Sequence, residues 1–104
     1  MRLDPYEADS WAHLLGRAHF GAGRYEEAIA AFKRIPSPRS GHLAYLAACC
    51  SRLGRGAEAE AFAAEILASD PAFTLAGFFN SLFYARAADR AHLAEALAGI
   101  GLPA

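Results

Sequence analysis

The sequence predicts an all-α fold, and three observations carry that expectation. The apolar share is high at 55%, and much of it is alanine, which favours helix and lets helices approach closely. The chain has no valine and few isoleucines or threonines, so strand-forming residues are scarce. One helix–turn–helix pattern also occurs twice at the same internal spacing.

The first copy runs from Leu14-Leu15-Gly16 to Gly23-Arg24-Tyr25-Glu26-Glu27-Ala28, and the second from Tyr45-Leu46-Ala47 to Gly54-Arg55-Gly56-Ala57-Glu58-Ala59. In each, a leucine precedes a small residue, a glycine follows seven positions later, and an alanine comes five positions after the glycine. The glycines suit turns, because a residue just past a helix end often adopts the left-handed conformation that glycine tolerates best. Small residues at Gly16, Ala28, Ala47 and Ala59 suit close helix crossings, where a larger side chain costs about 1 to 3 kcal/mol.

Six helices are expected in order, near residues 6–22, 25–35, 40–53, 57–69, 72–84 and 89–99. Between the first two repeats stands Pro36-Ser37-Pro38, and the glycine-to-glycine distance there is only 31 residues, which cuts the second helix short. Pro71 is expected to open the fifth helix, since proline suits a first helical turn. Ile35, Ile66 and Ile100 recur near the ends of the three second helices.

These motifs resemble the tetratricopeptide repeat, a unit of 34 residues built from two antiparallel helices. The resemblance implies a short right-handed solenoid of stacked antiparallel hairpins spanning residues 1–104 as a single domain. Repeat one then covers about 9–36, repeat two about 40–71, and a degenerate capping repeat about 72–101. Asp70-Pro71 matches the acidic-proline pair that separates repeats. Arg2-Leu3-Asp4-Pro5 reads as the end of a preceding repeat over residues 1–5, which places the start of the chain inside an array.

The third unit lacks the turn glycine and is aromatic, with Phe73, Phe78, Phe79, Phe83 and Tyr84 close together, as befits a terminal cap. Its tail is also similar to the C-terminal ends of bacterial repeat proteins carrying a class III nucleotide cyclase or a winged-helix regulator domain upstream. The shared residues are Asp70-Pro71, Phe73, Tyr84, Ala88-Asp89, Leu93, Leu97 and Gly101-Leu102-Pro103. The chain departs from that pattern at Arg86-Ala87, where a second Asp-Pro pair is expected. That similarity implies a bacterial regulatory context and assigns neither cyclase residues nor a DNA-reading helix to this chain.

Charge and chemistry narrow the function. A net charge of −1 gives no broad attraction to nucleic acid or to an anionic membrane. No apolar run reaches the about 18 to 20 residues that span a bilayer, and no signal segment opens the chain. Cys49 and Cys50 are adjacent in an apolar stretch, which suits small core residues and a reducing, cytoplasmic setting.

His13, His19, His42 and His92 form no i, i+4 pair, so no metal site is expected. Glu26-Glu27, Glu58 and Glu60 lie near helix starts, where the helix dipole favours negative charge without any catalytic role. No cofactor is implied, and no enzymatic activity is expected of this chain.

What remains is the groove that the first helices of successive hairpins line in such arrays. The resemblance places there Ser10, His13, Arg17 and Phe20, then Ala44, Ala48, Ser51 and Arg52, then Leu75, Phe78, Leu82 and Arg86. Of these, His13, Arg17, Phe20, Arg52, Phe78, Leu82 and Arg86 are the candidate partner-binding residues. Arginines beside aromatic and aliphatic groups suit a peptide or an amphipathic helix with acidic and apolar positions. The expected function is a non-enzymatic protein-interaction scaffold. The alternative is a self-associating, homodimeric regulatory segment of a larger cyclase or transcription regulator, should the aromatic end be exposed.

Overall fold

Two glycines set the layout. In the computed structural model, which describes residues 5–36, 38–82 and 87–103 and the side chains from Trp11 onward, Gly23 and Gly54 have φ of +78° and +75°. Each closes a helix in the same way. Arg24 N–H donates to His19 C=O at 2.8 Å and Gly23 N–H to Phe20 C=O at 3.1 Å, while Arg55 bonds Cys50 and Gly54 bonds Ser51 at 2.8 and 3.2 Å. Such paired bonds satisfy carbonyls that the helix end leaves free and reverse the chain within three residues.

The described residues form six helices and no strand: α1 Pro5–Gly21, α2 Tyr25–Phe32, α3 Ser40–Arg52, α4 Gly56–Ser69, α5 Leu75–Ser81 and α6 Ala87–Leu97. Helix α2 is indeed short. Arg34 and Ile35 donate to the carbonyls of Ala31 and Phe32 in a tightened last turn, and Pro36 stops further helix. Ile35, Ile66 and Ile100 are all buried, although only Ile66 lies inside its helix.

Helices α1 and α2 pack on each other, as do α3 and α4, and α3 also packs on α2, α6 and α1. Every residue from Leu43 to Cys50 is buried, so α3 is enclosed on all sides. Eight consecutive buried residues fit because five of them are alanine or cysteine, small enough for neighbours to close in. Ala28, Ala47 and Ala59 are fully buried. A Cβ on Gly16 would lie 2.6 Å from Cζ of Phe32, so the missing side chain there is the space the ring occupies.

The third unit differs from the sequence expectation. Pro71 does not open a helix. Phe73 N–H donates to Asp70 C=O at 3.0 Å, making Asp70-Pro71-Ala72-Phe73 a turn with proline in its favoured second place. Helix α5 starts later, after Thr74, whose Oγ1 accepts from Gly77 N–H at 3.0 Å. Among the described residues α5 and α6 do not pack together as the two earlier pairs do; α6 lies on α3 instead. The radius of gyration, 13.0 Å, is close to the about 13 Å expected of a globular chain of 100 residues.

No helix among the described residues is long and apolar enough to cross a membrane. Cys49 and Cys50 are free and fully buried. Burial pushes the Cys49 thiol up to about 12, and burial with the neighbouring Glu58 carboxylate raises that of Cys50, so both stay protonated and inert.

Candidate functional site

Aromatic and imidazole rings converge on Tyr45 at the middle of α3. Its ring stacks on Phe32 with centroids 5.2 Å apart and meets Phe20 (5.7 Å), His13 (6.1 Å) and Phe78 (6.1 Å) edge-on. Such edge-to-face pairs each add about 0.5 to 1.5 kcal/mol beyond the area they bury. Tyr45 therefore locks α1, α2, α3 and α5 to one another, and it also borders two surface clefts.

The larger cleft, about 580 Å³, lies between α1, α3 and α5. His13, His42 and Tyr45 form one side, Phe73 and Phe78 the other, and Arg39, Ser40 and Asp70 stand at the rim where α3 begins. Ser40 Oγ donates to the Asp70 carboxylate at 3.4 Å, a long contact that joins the start of α3 to the turn before α5. The smaller cleft, about 360 Å³, lies between α1 and α6 and is bordered by Leu14, Arg17, Phe20, Asp89 and His92. Clefts of this size that mix aromatic walls with a few polar groups suit a peptide side chain or a turn of helix.

The expected groove residues divide between these places. His13, Phe78 and Leu82 border the larger cleft, and Arg17 and Phe20 the smaller. Arg52 lies at the α6 edge, where its guanidinium donates to Glu95 at 3.0 Å. Phe20, Phe78 and Leu82 are more than 90% buried and present only an edge to solvent. Ala44 and Ala48 are fully enclosed, Ser51 and Leu75 are half-buried, and Arg86 and the Ser10 side chain lie outside the described residues.

Several contributors were not singled out from the sequence. Tyr45 occupies the repeat position of Leu14, yet Leu14 is 52% exposed and Tyr45 is 5% exposed. Its only signal was a large aromatic in an alanine-rich helix. His42 meets His13 ring to ring at 5.1 Å, and its Nδ1 accepts the Arg39 N–H at 3.0 Å. His92 stacks on Phe20 at 4.6 Å with its Nε2 2.8 Å from Tyr25 Oη. Among the described residues no three His, Cys, Asp or Glu side chains come together as a metal site would need.

His13 carries the most distinctive electrostatics. Its Nδ1 is buried without a hydrogen-bond partner. Burial first, then the positive charge of nearby His42 and Arg17, pushes its pKa down from an ordinary 6.5 to about 4. Above pH 6.5 the imidazole is neutral whether the chain is folded or not. Between 6.5 and 4 the unfolded chain takes a proton that the folded one refuses, so stability falls as pH drops through that window and then levels off.

Discounted for partial solvent exposure, the loss attributable to His13 is about 1 to 2 kcal/mol. His13→Leu should remove this contribution, so that urea midpoints measured from pH 7 to pH 4 fall less steeply than in wild type. Parallel slopes would show that His13 is not the group responsible.

No protein-family model matches the chain, and no curated protein or solved structure matches it significantly.

Proposed function

We propose that this chain is a non-enzymatic interaction scaffold of the tetratricopeptide type, working in the cytoplasm and receiving a peptide or helix in the groove along α1, α3 and α5. The observation that carries this reading is the cleft of about 580 Å³ walled by His13, Tyr45 and Phe78, one from each of those three helices. Repeated small residues at buried crossings and matching glycine turns support the assignment to stacked hairpins, with the third unit folded back.

The groove offers aromatic faces for an apolar anchor, and its rim carries the cation Arg39 together with the Asp70 carboxylate, which already accepts from Ser40. An acidic and apolar peptide is the ligand class this favours. Peptides selected from a random display library against the full chain should lose affinity about tenfold or more, some 1.4 kcal/mol, in Ala72→Glu, whose carboxylate both fills the cleft wall and repels an acidic ligand. Ala72 is exposed, non-helical and at the cleft wall, so the longer side chain fills the site without touching the core. Unchanged affinity would place the binding surface elsewhere.

One observation favours the second reading, a self-associating segment of a larger cyclase or transcription regulator. Trp11 and Leu14, one turn apart on α1, are 60% and 52% exposed, an unusual display for large apolar side chains. Sedimentation across a concentration series separates the two. A dimer that Trp11→Glu dissociates supports self-association, and a monomer at every concentration removes it.

A further inference from the structure

Helix α6 is seated on the rest of the chain in the manner of a bound ligand. It is held by an apolar stripe, one ring stack, one rim ion pair and a hydrogen bond that the Arg90 guanidinium donates to the Leu82 carbonyl at 3.3 Å. Leu93, Ala96 and Leu97 are each about 1% exposed against the body of the protein. The His92 ring stacks on Phe20 at 4.6 Å, and its Nε2 lies 2.8 Å from the Tyr25 hydroxyl. Glu95 accepts from Arg52 at 3.0 Å. Phe20 and Arg52 come from α1 and α3, the helices that line the groove, so α6 covers one end of it while the cleft between α1, α3 and α5 stays open.

We infer that α6 is an internal occupant of the groove, displaced when a partner helix of the same chemistry binds; this rests on the groove reading above. The partner's pattern follows from the contacts α6 makes. It needs an aromatic or imidazole ring at position i for Phe20 and leucine at i+1. A carboxylate at i+3 meets Arg52, a small residue at i+4 allows close approach, and a second leucine stands at i+5. His92, Leu93, Glu95, Ala96 and Leu97 fill those places in α6.

Displacement exposes Leu93, Ala96 and Leu97, burial that a partner helix of the same chemistry restores. Two leucines and an alanine are the main burial α6 itself supplies, and its ion pair is mostly solvent-exposed and so worth little. An 11-residue helix has little stability of its own once undocked. The tail after α6 adds one tether, the Leu75 N–H donating to Pro103 C=O at 2.8 Å, together with buried Ile100. While α6 is seated, the affinity of an external helix for the place α6 occupies is reduced to the fraction of molecules that are open.

Amide hydrogen exchange on the intact chain tests this without a ligand. Amides of α6 should exchange through a partial opening about 100-fold more readily than those of α3, with α1 to α4 still protected. Equal protection in α6 and α3, lost together in one global event, would overturn the inference. A second arm uses Leu93→Asp with a synthetic peptide of residues 87–103 as the probe. The variant should keep α3 protected and bind the peptide at least about tenfold more tightly than wild type. Loss of α3 protection, or no gain in binding, would make α6 a structural part of the core. Library peptides that still bind while α6 proves inseparable from α3 would defeat this inference alone. An α6 that opens in a chain whose peptides ignore Ala72→Glu would defeat only the groove reading.

Discussion

Phe32→Ala is expected to lower stability by about 3 to 5 kcal/mol, the usual cost of a large aromatic cavity in a core. Phe32 is fully buried, lies over Gly16 and stacks on Tyr45, with His13 edge-on at 5.9 Å. Its removal therefore loosens α2 from both α1 and α3. In a domain of about 5 to 15 kcal/mol total stability, such a loss leaves little margin. Urea denaturation gives the value, and a loss below 1 kcal/mol would mean that the ring does not fill the space beside Gly16.

The same contact has a second signature. Gly16→Ala gains about 1 kcal/mol of helix propensity but drives a Cβ into the Phe32 ring, which has no free volume to move into. The substitution should destabilise wild type and be tolerated in the Phe32→Ala background, since the two sites are in contact and couple.

Ala47→Leu carries the other large effect. Ala47 is fully buried on α3, the helix that every other long helix touches, and three added carbons have nowhere to go. Overpacking of this kind costs about 2 to 3 kcal/mol. Ala64→Leu, on the exposed side of α4, is the control and should stay within about 0.5 kcal/mol of wild type. Equal effects at the two alanines would contradict an enclosed α3.

Several of these features were legible in the sequence because one residue type solves the local problem. Gly23 and Gly54 mark turns whose backbone has positive φ. Ala28, Ala47 and Ala59 mark crossings that exclude larger side chains, and Cys49-Cys50 read correctly as core. The start of α5 was not legible, since Asp-Pro serves equally well as a helix opening or as the first half of a turn. Thr74 decided it by capping Gly77 three residues further on.

The site was less legible than the fold. His13 and His42 meet, and α6 reaches Phe20 and Arg52, through contacts between distant parts of the chain that follow no helical period. The repeat pattern named Phe20, Phe78 and Arg52 as groove residues but could not tell that the first two are mostly enclosed and that the third is paired with Glu95. Arrangement of the third unit depended on tertiary packing, because it lacks the turn glycine that positioned the first two.

The central claim is that one groove, floored by α1 and α3, is where this chain meets its partner. Amide chemical-shift mapping during titration with a library-selected peptide tests it most directly. The largest changes should fall on His13, His42, Tyr45 and Phe78, the residues around the larger cleft. Changes confined to the outer surface of α4, around Glu58, Phe62 and Glu65, would contradict it.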